Sequence, residues 1–365
     1  MSILSRAAGI AALLAAGALA PAAAQNAPPS GATGPLAQAA VNAARVSQGP
    51  VTVARQGSFF VGGRSLHSDT LSTQPAYGPS GTITVDQVYV RYQVPAEAGS
   101  RVPLVLIHGC CLTGKTWETT PDGRMGWDEY LLRRGHPTYV IDQAWRGRSA
   151  SHPTTINAVK MGRAGVEALP TVFAAGQEDA WAIFRFGRRH PETFPGLLFP
   201  MAGLEEFWRQ MVPDWNFAVP TPNPTVVGLS ALARRLERAV LISHSQSGIY
   251  PFQTAELSRD GIAGIVSIEP GACPAANGDM KPYAGLPILV LWGDFVQEST
   301  RWAPRLAACR DFARAANAAG GKVEIAVLPE MGVPGNSHML MQDSNSLEIA
   351  DWLADWIGQN VGSAR

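Results

Sequence analysis

Only four cysteines occur among 365 residues, too few for a disulfide scaffold, and none forms the C-x-x-C pair that marks a structural zinc site. Net charge is also missing, because 29 Lys and Arg balance 29 Asp and Glu. That excludes the basic face with which nucleic-acid binders neutralise phosphates. Lysine itself is scarce, found at 115, 160, 281 and 322, and the arginines are dispersed, so no basic tract stands out. Past the first two dozen residues no apolar run approaches the roughly 20 residues of a membrane span. Internal repeats are absent too. What is present is an ordinary globular composition, 46% hydrophobic and 16% charged, of a length that suggests about two domains.

The chain opens MSILSRAAGIAALLAAGALAPAAAQ. Arg6 precedes an apolar run over 7–20, then Ala22, Ala23 and Ala24 stand before Gln25. This is the charged, apolar and small-residue order of a secretory signal peptide, shorter than a membrane anchor, and it predicts cleavage after residue 24. A periplasmic or secreted location follows, where disulfides are allowed. Residues 25–56, rich in Ala, Pro and Gly, read as a flexible N-terminal arm.

From there the pattern changes. Segments 57–61 and 81–94 (GTITVDQVYVRYQV) alternate apolar and polar residues, as an antiparallel hairpin does. Six short runs follow that are nearly apolar throughout: 103–109, 137–142, 239–245, 264–270, 287–294 and 323–330. Such runs suit strands covered on both faces, and helix-compatible segments separate them. The fold class is therefore α/β, a mostly parallel, doubly wound sheet preceded by the hairpin, with its core in 57–149 and 234–362. Between 150 and 233 strand signals stop and aromatic, Pro and Arg residues crowd together, which predicts a cap inserted over the carboxyl edge, where such sheets carry their sites.

The sharpest chemical signal is AVLISHSQSGIYPFQTAEL, in which a buried strand runs straight into Ser243-His244-Ser245-Gln246-Ser247-Gly248 and then a helix. That is the strand–turn–helix setting of the nucleophile elbow G-x-S-x-G, with serine at the first glycine position and again, as Ser247, at the second. Read blandly, these serines only cap a helix or line a loop. A serine hydroxyl attacks well only when a base removes its proton, so one of the seven histidines must reach Ser245. His338, in a Gly/Pro loop after the last strand, stands where the order Ser, acid, His requires it. Glu269 and Asp294 each end a strand and could orient the imidazole, and strand geometry alone leaves both open.

The oxyanion donors should be the N–H of Gln246 and one from the loop His108-Gly109-Cys110-Cys111-Leu112-Thr113-Gly114. Neighbouring Cα atoms stand about 3.8 Å apart, below the roughly 4.4 Å of unstrained disulfides, so a Cys110–Cys111 bond would stiffen this backbone under strain. The alternative is two free thiols packed as small hydrophobes. Cys273 and Cys309 remain for a second bridge, which would brace the loop after Glu269. A further loop, 142–149, follows D-x-x-G-x-G-x-S with Trp145 at the first glycine, where it packs or touches substrate. Cap aromatics Trp181, Phe184, Phe186, Trp208, Trp215 and Phe217 either wall an apolar pocket or form the cap's own core.

Together these pieces resemble the α/β-hydrolase superfamily. HGCCLTGKTWETTPDGRMGWDEY, SHSQSG and SIEPG resemble, more narrowly, a small group of exported bacterial alkaline esterases characterised by a vicinal disulfide in the oxyanion loop. The resemblance spans 58–357, and the cysteine pair is its most specific part. It implies a Ser245–His338–Glu269 triad, which decides the acid against Asp294, an oxyanion hole from the N–H groups of Cys110 and Gln246, and a homodimer. The sequence departs from the group's pattern at Ser243, where glycine is expected, and at Trp145.

The expected activity is hydrolysis of a small-molecule carboxylic ester through an acyl-enzyme, with no metal or organic cofactor, no nucleic-acid partner and no membrane span. The same triad could cleave an amide, a lactone or a carbon–carbon bond, since each begins with attack at a carbonyl. A non-catalytic binding protein of this fold would have lost the Ser or the His, and both are present.

Overall fold

The computed structural model describes residues 36–97 and 101–362, so the leader expected over 1–24 lies outside the described residues. Eight strands form one sheet: β1 (Val53–Ser68), β2 (Gly81–Pro95), β3 (Leu104–Ile107), β4 (Thr138–Asp142), β5 (Ala239–His244), β6 (Ile262–Ile268), β7 (Pro287–Trp292) and β8 (Lys322–Val327). Their order is β1-β2-β4-β3-β5-β6-β7-β8. β1 and β2 pair antiparallel from Val53↔Pro95 to Ser68↔Gly81, β2 also runs antiparallel to β4, and every other pairing is parallel. The parallel strands are the apolar runs of the sequence, and the hairpin is the alternating pair.

Nine α-helices accompany the sheet among the described residues: α1 (Ala37–Val46), α2 (Trp127–Arg133), α3 (Thr154–Lys160), α4 (Gln177–Ile183), α5 (Leu204–Arg209), α6 (Pro224–Leu236), α7 (Tyr250–Leu257), α8 (Ala303–Ala318) and α9 (Ser346–Asn360). Because successive side chains point to opposite faces, Leu104 and Leu106 pack with α1, α2 and α9, while Val105 and Ile107 pack with α6, α7 and α8. Each face thus has its own apolar layer, which is what strands without a polar side require.

Two expectations need correction. The arm over 25–56 is not loose throughout: α1 lays Ala39, Ala40 and Ala43 on the core beside α9. Leu36, Ala39, Ala40 and Ala43 repeat at helical spacing, and small side chains suit a close helix–helix approach. The segment 150–233 does not lie over the site as one cap either. Its last part is α6, which packs under β1 and β2; a Cβ on Gly228 would stand 2.7 Å from Val88 Cγ2. The segment between β4 and α6 carries α3 to α5, and its aromatics Trp181, Phe184, Phe186, Phe199 and Phe207 extend the core layer of α9.

No helix among the described residues is long and apolar enough to cross a membrane.

Candidate active site

Every residue singled out for chemistry follows the carboxyl end of a strand: Cys110 after β3, Ser245 after β5, Glu269 after β6, Asp294 after β7 and His338 after β8. Two of them depart from ordinary backbone geometry. Ser245 has φ +57° and Glu269 φ +52°, a left-handed conformation that costs a side-chain-bearing residue about 1–3 kcal/mol and persists only where the surroundings enforce it.

The surroundings of Ser245 do enforce it. Its carbonyl accepts the Gly271 N–H at 2.6 Å. The Ser247 hydroxyl accepts the His244 N–H at 3.2 Å and lies 3.2 Å from the Ile107 carbonyl, so it ties the turn to β3. Ser243 sits fully buried on β5 without disturbing the strand. Glycine remains where backbones touch: a Cβ on Gly248 would meet Pro270 Cα at 2.6 Å, and one on Gly109 would meet Ser245 Cβ at 2.9 Å.

His338 is fully buried between the serine and the acid. With the ring proton on Nδ1, that nitrogen donates to Glu269 Oε2 at 3.0 Å, and Nε2 accepts the Ser245 hydroxyl at 2.8 Å. Trp302 covers the ring at a centroid distance of 4.2 Å, and His244 Nε2 donates to the His338 carbonyl at 2.9 Å. Burial pushes the His338 pKa down to about 4, against the upward pull of Glu269. The neutral ring, the form able to accept a proton, is therefore favoured.

Glu269 touches His338, whereas Asp294 does not. Asp294 Oδ2 instead accepts the Gly335 N–H at 2.7 Å, and its N–H donates to the Asn336 carbonyl at 2.8 Å, so it folds the loop that carries His338. Asp343 fixes the same loop by accepting the Ser337 N–H at 2.8 Å and the Ser337 hydroxyl at 2.7 Å.

The sequence reading missed Arg185. It follows α4 and grips Glu269 with both guanidinium nitrogens, Nη1 to Oε2 at 2.6 Å and Nη2 to Oε1 at 2.5 Å, while Nε donates to the Asp294 carbonyl at 2.8 Å. The Gly293 N–H donates to Glu269 as well. Burial alone would raise the carboxyl pKa; Arg185 and His338 overcome it and hold Glu269 at about 2. The only local hint was the cluster FRFGRRH, arginines among aromatics in a segment without periodicity.

Both disulfides are formed, Cys110–Cys111 and Cys273–Cys309, the second joining the loop after Glu269 to α8. The sulfurs of the first lie near the Asp214 carboxylate, but bonded sulfurs offer no thiolate and Asp214 is engaged by Arg146 at 2.7 Å, so this trio is a poor metal site. Cys111 has φ +61° and donates its N–H to Asp214 Oδ2 at 3.1 Å. Trp145 also has a left-handed backbone, φ +66°, the conformation that glycine adopts freely. Its indole N–H donates to Asp86 Oδ1 at 2.8 Å and its ring stands edge-on to Trp215 at 6.3 Å, so it packs the cap onto β2. Of the remaining cap aromatics, Trp208 packs at the edge of the core and Phe217 is exposed.

No family model matches the chain. It is similar to a solved structure described as a novel bacterial esterase: 60% identical, covering 86% of this chain and 98% of that one, with a TM-score of 0.84. It is 27% identical over 323 residues to a probable secreted lipase, phiG, of a fungal species (strain ATCC 74256), covering 74% of this chain and 85% of that protein.

Proposed function

The chain belongs to the α/β-hydrolase superfamily, in the family of that bacterial esterase, and is a carboxylic-ester hydrolase; we propose that Ser245, His338 and Glu269 do the work. The observation that carries this reading is the hydrogen-bonded chain from Ser245 through His338 to Glu269, at 2.8 and 3.0 Å. Ser245 Oγ attacks the ester carbonyl as its proton passes to His338 Nε2, and the imidazolium so formed is held against the Glu269 carboxylate. The carbonyl oxygen becomes an oxyanion, bound by the N–H groups of Cys110 and Gln246. His338 then returns the proton to the departing alkoxide. Water repeats the sequence on the acyl-enzyme and frees Ser245.

Glu269 suits the orienting role because it stays ionised: the Arg185 charge and the Gly293 N–H stabilise the carboxylate, whose Oε2 accepts from both Arg185 and His338 Nδ1. The test is p-nitrophenyl butyrate hydrolysis by wild type beside Ser245→Ala, which should lose about 10⁴-fold or more of kcat. A variant as active as wild type would overturn the assignment, and an inactive wild type would favour a different carbonyl substrate.

The same reading takes the chain as an exported enzyme, periplasmic or secreted, and as a homodimer acting on a small-molecule ester. Two disulfides and the relative named as secreted support export. Light scattering of the purified protein should give twice the subunit mass; the subunit mass alone would refute the dimer.

A further inference from the structure

We propose that a buried ion pair, Arg146 with Asp214, is the positioning device of the oxyanion hole, holding the Gly109–Cys111 backbone, gripping the side chain of Gln246 and polarising the Cys110 amide. The proposal rests on the reading of Cys110 and Gln246 as the oxyanion donors. Neither charged residue touches the triad, yet both are essentially solvent-free, at 3% and 0% exposure. Taking two charges out of water is expensive, and such a pair is seldom repaid in stability alone.

What the pair touches defines its role. Arg146 Nη1 donates to the Gly109 carbonyl at 3.0 Å, and Nη2 donates to Gln246 Oε1 at 2.6 Å. Gly109 and Cys110 share one peptide unit, so the guanidinium binds the carbonyl end of the amide whose N–H belongs to Cys110. A cationic donor on that carbonyl draws density from the amide nitrogen and makes its N–H a stronger donor, the cooperative polarisation of linked hydrogen bonds. His108 adds to it. Its Nε2 accepts the Gln143 N–H at 3.1 Å, which leaves the proton on Nδ1 to donate to the same Gly109 carbonyl at 2.9 Å.

Asp214 closes the frame from the other side. One carboxylate oxygen, Oδ2, meets Arg146 at 2.7 Å and accepts the Cys111 N–H at 3.1 Å; the other accepts the Asn216 N–H at 2.8 Å. The Asp214 backbone pairs with Phe173, and the Val212 N–H donates to the Cys111 carbonyl at 2.8 Å. The disulfide loop is thus stitched to the cap on one side and to the nucleophile's turn on the other, with Arg146 as the shared knot. Arg146 is aimed there by its own turn, in which Trp145 N–H donates to the Ser149 carbonyl at 2.8 Å and Arg146 N–H to that of Gln143 at 3.0 Å.

The experiment compares wild type with Asp214→Asn, Arg146→Lys and the paired variant Arg146→Met with Asp214→Leu, which leaves no lone buried charge. Two inhibitors are titrated. An alkyl trifluoromethyl ketone takes the Ser245 oxygen onto its carbonyl and passes the serine proton to His338, so its own oxygen becomes the oxyanion. The matched alcohol cannot form that adduct. In folded variants kcat should fall about 10- to 100-fold with KM changed less than about threefold, and the ketone, not the alcohol, should lose affinity. Gln246→Met, at a half-buried side chain, should lower the same ketone-to-alcohol preference severalfold even if the buried variants fail to fold.

A wild-type preference kept in every folded variant overturns the proposal, as does a fall in which both inhibitors weaken together, the mark of a merely structural pair. A wild type that shows no preference for the ketone strikes instead at the oxyanion reading beneath it.

Discussion

At Glu269, three groups converge on one carboxylate: His338, the Arg185 fork and the Gly293 N–H. Arg185 opposes protonation of His338 by its charge and lowers the Glu269 pKa for the same reason, so its removal should raise both. On the proposed reading the neutral imidazole is the working base, so the acid limb of kcat/KM should lie below the ordinary histidine value, toward about 4. In Arg185→Met that limb should move to higher pH, whereas Arg185→Lys, which keeps the charge, should leave it near its wild-type position. A pH profile with an unmoved limb in Arg185→Met contradicts this electrostatic account. Gly109 gives a second residue-scale prediction. A Cβ there would stand 2.8 Å from His244 Nδ1 and 2.9 Å from Ser245 Cβ, so Gly109→Ala must displace Ser245, the proposed nucleophile, or the loop 108–114. We expect kcat to fall about 10²–10³-fold, measured on the p-nitrophenyl ester. Ser245 and the two candidate acids were legible in the sequence because each closely follows a strand run, and His338 because it lies in a Gly/Pro loop between the last strand and the last helix. Arg146 and Arg185 were not, since their partners lie far along the chain and a long-range ion pair leaves no local pattern.

Among the elements, the elbow tolerates serine at both glycine positions for separate reasons. Ser247 supplies a hydroxyl that the His244 N–H needs, while Ser243 simply fits within β5. Ser243→Gly should therefore cost only about 1 kcal/mol of stability, by urea unfolding, and leave kcat within a few-fold. The Cys273–Cys309 bridge closes a loop with a sequence separation of 36, for which chain entropy gives about 3–4 kcal/mol. Cys273→Ala with Cys309→Ala should lower the unfolding free energy by about that amount, and an unchanged urea midpoint would contradict it. The strands were readable from runs of apolar residues. α1 was not, because alanine counts as weakly hydrophobic although Ala39 and Ala43 bury well. α6 was taken for cap because it follows a stretch without strand signals, yet Leu229 and Leu232 face the sheet.

The molecule as a whole buries four neutral histidines, His108, His136, His244 and His338, each depressed below its ordinary value by burial. An unfolded chain protonates them near pH 6.5, so the folded state binds fewer protons below that point. Their contribution is complete above about pH 6.5 and should be lost as pH falls toward about 4, where Glu269 adds to the loss; Asp343, whose carboxyl burial pushes up to about 7, takes up a proton over the same interval and offsets part of it. The melting temperature should decline progressively over that interval; a flat profile would contradict it. Sheet order and cap placement depend on contacts between distant segments, so the sequence conveyed the class of the fold more fully than its assembly. The central claim, that Ser245 is the nucleophile of this frame, is tested most directly by reacting the enzyme with a p-nitrophenyl phosphonate and mapping the adduct by peptide mass. One equivalent on Ser245, formed as activity disappears and absent from His338→Ala, is the predicted result. Labelling at Ser243 or Ser247 instead, or full activity after complete labelling of Ser245, would contradict it.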